Sequence, residues 1–178
     1  LKRLIDLRHN GMIKVVTGMR RCGKSYLLFN LFTDALKAKG VDEENIVQIN
    51  LEDRRNKSLR DPDKLLAYID SRLKDNKMYY ILLDEVQLVN EFEDVLNSYL
   101  QVKNADVYVT GSNARFLSKD VITEFRGRGL EIRVHPLSFS EIRGARPDEP
   151  IEQLWIEYIT YGGLPQVITM NSDQEKVD

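Results

Sequence analysis

Hydrophobic positions along the chain follow two alternating patterns. Short runs rich in Val, Ile and Tyr are typical of strands, and they occupy residues 12–17, 46–51, 78–83, 106–110 and 130–134. Apolar residues at helical spacing predict helices over residues 24–39, 61–75, 92–100, 114–124 and 151–159. This alternation predicts an α/β fold with a mainly parallel sheet.

Length and composition are compatible with one globular core. The chain has 178 residues, of which 42% are hydrophobic and 30% are charged, enough to bury a substantial interior. We expect the core to span residues 1–148. A helical segment at 149–178 would then lead to a C-terminal region that this sequence lacks.

Charge and cysteine content narrow the class of protein. The 26 basic and 28 acidic residues give a formal charge of -2, which argues against a general nucleic-acid or membrane-surface binder. The apolar runs are far shorter than the roughly 20 residues that a membrane-spanning helix requires. Cys22 is the only cysteine, so no internal disulfide can form, and a lone thiol favours the cytoplasm.

The segment from Gly18 to Ser25 matches G-x-x-x-x-G-K-[ST], the P-loop pattern, between a predicted strand and a predicted helix. Such a loop turns its backbone amides inward at a helix N-terminus, which predicts a binding site for a triphosphate. Lys24 would reach the β and γ phosphates, and the Ser25 hydroxyl would ligate Mg²⁺. The alternative is a chance match in an ordinary glycine turn.

The predicted nucleotide-binding set comprises Gly18, Arg20, Arg21, Cys22, Gly23, Lys24, Ser25 and Tyr26. The motif requires only the backbone amides of the spacer residues Arg20 and Arg21, so their side chains are free to pair with nearby acids. Cys22 is interpreted as a further spacer; a redox switch beside the phosphates is the alternative.

Two acidic residues follow the most apolar of the predicted strands. Asp84 would orient hydrated Mg²⁺, and Glu85 would act as the general base that polarises the attacking water. Ligands of α/β proteins bind at this edge of the sheet. The alternative interpretation, surface acids that begin a helix, leaves unexplained why an apolar strand ends at this point.

The next strand ends in small polar residues. Ser112 and Asn113 are candidates for a sensor of the γ-phosphate or the water; the alternative is a common Gly-Ser-Asn turn in which Asn113 caps the next helix. Arg126 and Arg128 lie in a glycine-containing segment before the fifth strand. Either could stabilise the transferred phosphoryl group of a neighbouring subunit, or be a solvated or ion-paired arginine.

These motifs resemble a family of prokaryotic AAA+ ATPases. The matching segments are residues 17–25, 83–87, 110–113, 127–128, 135–141 and 161–165. The double arginine of the P-loop and the Pro-Leu-Ser-Phe segment at 136–139 are the most specific of them. The resemblance implies a three-layer fold whose five-stranded sheet has the order 5-1-4-3-2, followed by a C-terminal domain of uncertain function.

The sequence therefore predicts Mg²⁺-dependent ATP binding and hydrolysis that drives or gates the absent C-terminal domain. A nucleotide-gated binding switch with little turnover is the alternative. A P-loop kinase is disfavoured because no second substrate pocket is evident, and the absence of an Asn-Lys-x-Asp stretch favours adenine over guanine. The expected partners are ATP, the C-terminal domain and a second copy that supplies an arginine; no membrane partner is expected, nor nucleic acid through this domain.

Overall fold

The structure is a computed structural model that describes residues 1–111, 125 and 127–170. The chain divides into two compact units. The first comprises Leu1–Gly18 and Lys24–Arg133, and the second comprises Met19–Gly23 and Val134–Asp178. The predicted helix at 114–124 lies outside the described residues.

The first unit contains a five-stranded sheet in which every pairing is parallel. Its strands are β1 (Ile13–Thr17), β2 (Ile46–Asn50), β3 (Tyr79–Asp84), β4 (Ala105–Thr110) and β5 (Gly129–Arg133). The order β2-β3-β4-β1-β5 is the predicted order 5-1-4-3-2 counted from the other edge. The predicted α/β class and strand order are thus confirmed.

Helices cover both faces of this sheet and give it three layers. On one face, strand residues pack with α4 (Pro62–Arg72) and α5 (Phe92–Tyr99). The other face carries aromatic side chains of β3 and β4 that contact Phe32, whose ring centre lies 4.6 Å from that of Tyr108. The buried core on the first face includes Val15, Ile49, Leu65, Ile69, Ile81, Leu83, Val95, Leu96, Val107 and Val109.

The helix predicted at 24–39 forms, but with a change of helix type in the middle. It consists of α2 (Lys24–Tyr26), a π-helical segment (Leu27–Phe32) and α3 (Thr33–Ala38). Gln48 of β2 donates its side-chain amide to the Phe29 carbonyl at 3.0 Å and to Thr33 Oγ1. A tertiary hydrogen bond therefore satisfies backbone in the widened segment, which helical periodicity alone does not predict.

Within its described residues, the first unit also has shorter helical segments. They are α1 (Lys2–Asp6) and 3-10 segments at Glu43–Asn45, Arg54–Arg60 and Val86–Leu88. Helix α4 begins as predicted, because Asp61 caps it by accepting the Lys64 N–H at 3.1 Å. It ends at Arg72 and not at Asp75, whose carboxylate instead accepts the Lys77 N–H in the turn before β3.

The second unit contains three helices within its described residues: α6 (Phe139–Ala145), α7 (Ile151–Tyr161) and α8 (Pro165–Thr169). Helix α7 forms where a helix is predicted at 151–159, α8 lies within the predicted helical segment 149–178, and α6 is not predicted from the sequence. Helix α6 begins with a capping box, in which the Ser138 hydroxyl accepts the Glu141 N–H and the Glu141 carboxylate accepts the Ser138 N–H. None of the helices that the structure describes is both long enough and apolar enough to cross a membrane.

Candidate nucleotide-binding site

The carboxyl ends of the central strands and the start of α2 meet at one edge of the first unit. Asp84 is the last residue of β3, Thr110 is the last residue of β4, and Ser25 lies in the first turn of α2. The Ser25 hydroxyl donates to Asp84 Oδ1 at 2.9 Å across a sequence separation of 59 residues. The hydroxyl of the P-loop and the carboxylate at the end of the apolar strand, predicted separately, therefore lie together.

Asp84 is a buried carboxylate held by two hydroxyl groups. Its exposed fraction is 2%, and Thr110 Oγ1 donates to the same oxygen that Ser25 contacts. Burial raises the pKa of Asp84 above its ordinary value, although the two hydroxyl hydrogen bonds oppose that rise. A cation bound nearby would favour the ionised carboxylate, because it offsets the penalty of burying a charge.

These oxygen atoms fit the ligand preference of Mg²⁺. This ion takes oxygen ligands, keeps several waters and is usually bound through one or two protein groups together with substrate phosphates. Ser25 Oγ and the Asp84 carboxylate are two such groups within 2.9 Å of each other. The described part of the chain contains no cluster of three or more His, Cys, Asp or Glu side chains suited to a metal, so a protein-only cage is not the arrangement found there.

Lys24 brings a buried ammonium group to the same edge. Its exposed fraction is 5%, and Nζ donates to the Gly18 carbonyl at 3.1 Å. Gly18 and Lys24 bracket the P-loop in the chain, so this contact holds the ammonium against the loop's first residue. Ser25 and Tyr26, the other predicted residues of α2, are exposed, and the exposed fraction of Tyr26 is 61%.

The middle of the P-loop belongs to the second unit. Arg20 and Arg21 are exposed, and Arg21 has a positive φ of 66°. Gly23 has a φ of 95°, a conformation that side chains with a Cβ rarely adopt, which explains the glycine at this position. Cys22 is buried and its thiol lies 3.6 Å from the Val134 carbonyl, within the same unit. A packed thiol favours the spacer interpretation over the redox switch.

Glu85, the predicted general base, has a constrained backbone. Its φ of 56° lies in the left-handed region, which is uncommon for a residue other than glycine. The Glu85 N–H donates to Thr110 Oγ1 at 3.0 Å, and its carbonyl accepts the Leu88 N–H at 3.0 Å. The Gln87 side-chain amide donates to Glu85 Oε2. Asp84 and Glu85 are thus joined through the single hydroxyl of Thr110.

Sequence reasoning missed the roles of Thr110 and Gln87 in this geometry. Both lie within segments that match the family, residues 83–87 and 110–113. A threonine that ends a strand and a glutamine in a turn nevertheless have no distinctive spacing. The available signal was Thr110's position at the end of the strand that precedes the sensor candidates. Parallel strands end at one edge, so this hydroxyl is placed near Asp84 once β3 and β4 are neighbours.

Three predicted residues, Ser112, Asn113 and Arg126, lie outside the described residues. Arg128 is described, exposed, and immediately precedes β5; its carbonyl accepts the Ile13 N–H at 2.8 Å. Ile13 begins β1, whereas the P-loop follows the end of β1. The two positions are separated by the length of a five-residue strand, or about 13 Å for its four residue steps. The backbone of Arg128 therefore lies at the amino ends of the strands, whereas Asp84 lies at their carboxyl ends.

A parallel sheet of this order, with a P-loop after its first strand and a hydroxyl–carboxylate pair at the strand ends, defines a P-loop nucleotide-binding protein. The family model described as "AAA domain" matches residues 10–143. The chain belongs to that family, and the resemblance to AAA+ P-loop ATPases predicted from the motifs is confirmed.

The curated relatives of this chain are longer than it is. An uncharacterized protein of Haemophilus influenzae is 34% identical over 173 residues, which cover 94% of this chain and 43% of the relative. The chain spans less than half the length of the curated relatives that it matches.

Solved structures share the fold at low sequence identity. The structure of Caenorhabditis elegans PCH-2 aligns with a TM-score of 0.64 and 17% identity, covering 96% of this chain and 55% of that chain. The genome packaging NTPase B204 from Sulfolobus turreted icosahedral virus 2, solved in complex with ATP-gammaS, aligns with a TM-score of 0.50 and 17% identity. That alignment covers 82% of this chain and 86% of that chain.

Proposed function

We propose that this chain is an ATPase module that binds ATP with Mg²⁺ and hydrolyses it. The observation that carries the proposal is the 2.9 Å contact between Ser25 Oγ and Asp84 Oδ1, which places the P-loop hydroxyl against a buried strand-end carboxylate. The NTPase of the same fold that is bound to ATP-gammaS supports a nucleotide ligand. The absence of a guanine-recognition stretch from the sequence supports adenine.

The residues of the P-loop, of α2 and of the end of β3 have different roles in hydrolysis. Lys24 and the P-loop amides bind the phosphates, while Ser25 and Asp84 hold the metal ion. When bound, Mg²⁺ neutralises charge on the β and γ phosphates. Glu85 removes one proton from a water molecule while the oxygen of that water attacks the γ-phosphorus. The bond from that phosphorus to the bridging oxygen breaks, which leaves ADP and inorganic phosphate.

Steady-state phosphate release tests hydrolysis directly. We expect the Glu85→Gln variant to turn over about 10²- to 10⁴-fold more slowly than the wild type, which is the usual contribution of a general base. Its affinity for ATP should persist, because Glu85 is assigned no phosphate contact. Glu44→Gln makes the same chemical change at an exposed residue of the first unit and should leave the rate unchanged. Equal rates for the wild type and Glu85→Gln would instead indicate a nucleotide-gated switch.

The position of Arg128 supports an active site completed by a second copy. Its backbone lies at the amino ends of the strands, opposite to Asp84 in its own chain, so an arginine here is better placed to serve a neighbour. Specific activity should then rise with protein concentration and fall in Arg128→Ala. Mixing Arg128→Ala with Glu85→Gln should restore part of the activity, because some mixed interfaces combine an intact base with an intact arginine.

We further propose that the module drives or gates a C-terminal region of a longer protein, since its curated relatives extend well beyond the region that matches this chain. Predicted residues 1–148 would form the ATPase core, and residues 149–178 would lead to that additional region. A single thiol, with no possible internal disulfide, supports a cytoplasmic location. Expression of the longer gene product, followed by identification of what co-purifies with it, tests this coupling.

A further inference from the structure

Gln87 has an unusual hydrogen-bonding state beside the proposed general base. It lies in the 3-10 segment Val86–Leu88, two residues after Glu85. Its Nε2 donates to Glu85 Oε2, whereas its Oε1 is buried with no hydrogen-bond partner among the described residues. A buried acceptor without a partner destabilises a protein, so the side chain needs a compensating interaction to remain in this position.

The charge of Glu85 determines how the Gln87 amide is oriented. Rotating the amide by half a turn would bring its carbonyl oxygen against the carboxylate, replacing an attraction with a repulsion. The observed orientation keeps the donor on the carboxylate and leaves the carbonyl oxygen without a hydrogen-bond partner in the part of the chain that the structure describes. Among the described residues, the contact with Glu85 is thus the side-chain hydrogen bond that Gln87 makes, while its carbonyl oxygen has no partner there.

Hydrogen bonds also hold the backbone of Glu85. Its left-handed conformation is held by the Thr110 hydroxyl on the amide side and by the Leu88 N–H on the carbonyl side. Strained backbone conformations persist where surrounding contacts over-determine them, and they cluster at active sites. With Gln87 on the carboxylate, three separate contacts converge on one residue, which is the arrangement expected of a preorganised catalytic group.

We propose that Gln87 is a positioning residue that fixes the Glu85 carboxylate for proton abstraction from water. This inference rests on the proposed ATPase function. The glutamate side chain has several rotatable bonds, so an unrestrained carboxylate would spend much of its time away from the productive geometry. The Gln87 amide restricts that rotation without taking the proton itself. It acts through Glu85, and touches neither nucleotide nor water in this proposal.

Substitution of Gln87 by Met separates positioning from a structural role. Methionine has a similar length but carries neither the amide donor nor the unpaired oxygen, so the midpoint of thermal unfolding should stay the same or rise. The kcat for phosphate release should fall about 10- to 100-fold, as expected when a catalytic group is misplaced. The KM for ATP should not change. Gln101→Met makes the same replacement at an exposed residue and should alter neither quantity.

A double variant tests whether Gln87 acts through Glu85. Because Glu85→Gln already removes the base, adding Gln87→Met to it should produce no further loss of kcat. The positioning role would be overturned if Gln87→Met kept the wild-type kcat. It would also be overturned if kcat fell only together with a lower midpoint of thermal unfolding. That result is distinct from failure of the proposed function, which would appear as a wild type with no turnover above Glu85→Gln.

Discussion

Replacement of Lys14 by Met should destabilise the first unit, because it leaves the carboxylate of Asp106 buried without its counter-ion. The exposed fractions of Lys14 and Asp106 are 0% and 3%, and their side chains form an ion pair. The Lys14 ammonium also lies 5.0 Å from the centre of the Tyr108 ring. Asp106 accepts two further hydrogen bonds, from the Tyr108 hydroxyl at 2.9 Å and the His9 N–H at 3.1 Å.

The loss in free energy of unfolding depends on which buried groups keep a partner after each substitution. Removal of one partner from a buried ion pair costs about 3–5 kcal/mol. Lys14→Met should destabilise the fold by about 3 kcal/mol, because Asp106 keeps two donors, whereas Asp106→Leu should destabilise it by about 5 kcal/mol, because the Lys14 ammonium loses its partner. The double variant leaves the Tyr108 hydroxyl and the His9 N–H without their acceptor, at about 1–3 kcal/mol for each group, so it should cost about 2–6 kcal/mol. The sum of the two single costs should therefore exceed the cost of the double variant by about 2 kcal/mol or more.

The pH dependence of Asp106→Leu provides a second test. Burial lowers the pKa of Lys14 below its ordinary 10.5, and Asp106 opposes that fall. Without Asp106 the folded-state pKa should fall further, while the unfolded chain retains the ordinary value. Between those two pKa values the unfolded state binds more protons. The stability of the variant should therefore rise with pH, by up to about 1.4 kcal/mol per pH unit, until the pH reaches about 10.5.

Urea unfolding followed by circular dichroism measures these free energies in all four proteins. Unchanged m-values would show that the variants unfold from equally compact states. Additive single costs, or a Lys14→Met variant destabilised by less than about 1 kcal/mol, would contradict the idea that a desolvated charge pair sets the cost.

Three further substitutions test other contacts. Thr110→Val keeps the shape of the side chain but removes the hydroxyl shared by Asp84 and the Glu85 N–H, so unfolding should become easier by about 1–3 kcal/mol and phosphate release should slow. Ser138→Ala should reduce stability by about 1 kcal/mol through loss of the cap of α6, measured by chemical denaturation. Gly163→Ala would place a Cβ 2.0 Å from the Leu137 carbonyl oxygen and should destabilise the second unit by at least about 2 kcal/mol, detected as faster limited proteolysis.

Local patterns were sufficient to predict the strands, the P-loop and the carboxylate at the end of β3, whereas the strand order was implied by the family resemblance. Each strand is a compact run of apolar residues, and the spacing of Gly18, Gly23 and Lys24 is a short motif in a recognisable context. The chain order of those strands restricts the topology strongly, since parallel crossovers are right-handed. The contact between Ser25 and Asp84 then follows from both residues lying at one edge of the sheet.

Contacts between distant residues could not be predicted in the same way. Lys14 interrupts an apolar strand and Asp106 lies in another, 92 positions later, so nothing local indicates that the two form an ion pair. The π-helical segment accepts a hydrogen bond from Gln48, which lies on β2 and not on the helix. The left-handed backbone of Glu85 likewise depends on a hydroxyl from the neighbouring strand. Each of these features is determined by tertiary structure.

Calorimetric titration with ATP and Mg²⁺ tests the central claim, that the loop between β1 and α2 binds a triphosphate. The wild type should bind with measurable affinity. Lys24→Ala should show no detectable binding and an unchanged circular dichroism spectrum, because it removes the ammonium group held against Gly18 at the phosphate end of the loop. Equal affinity for ATP in the wild type and Lys24→Ala would contradict the account.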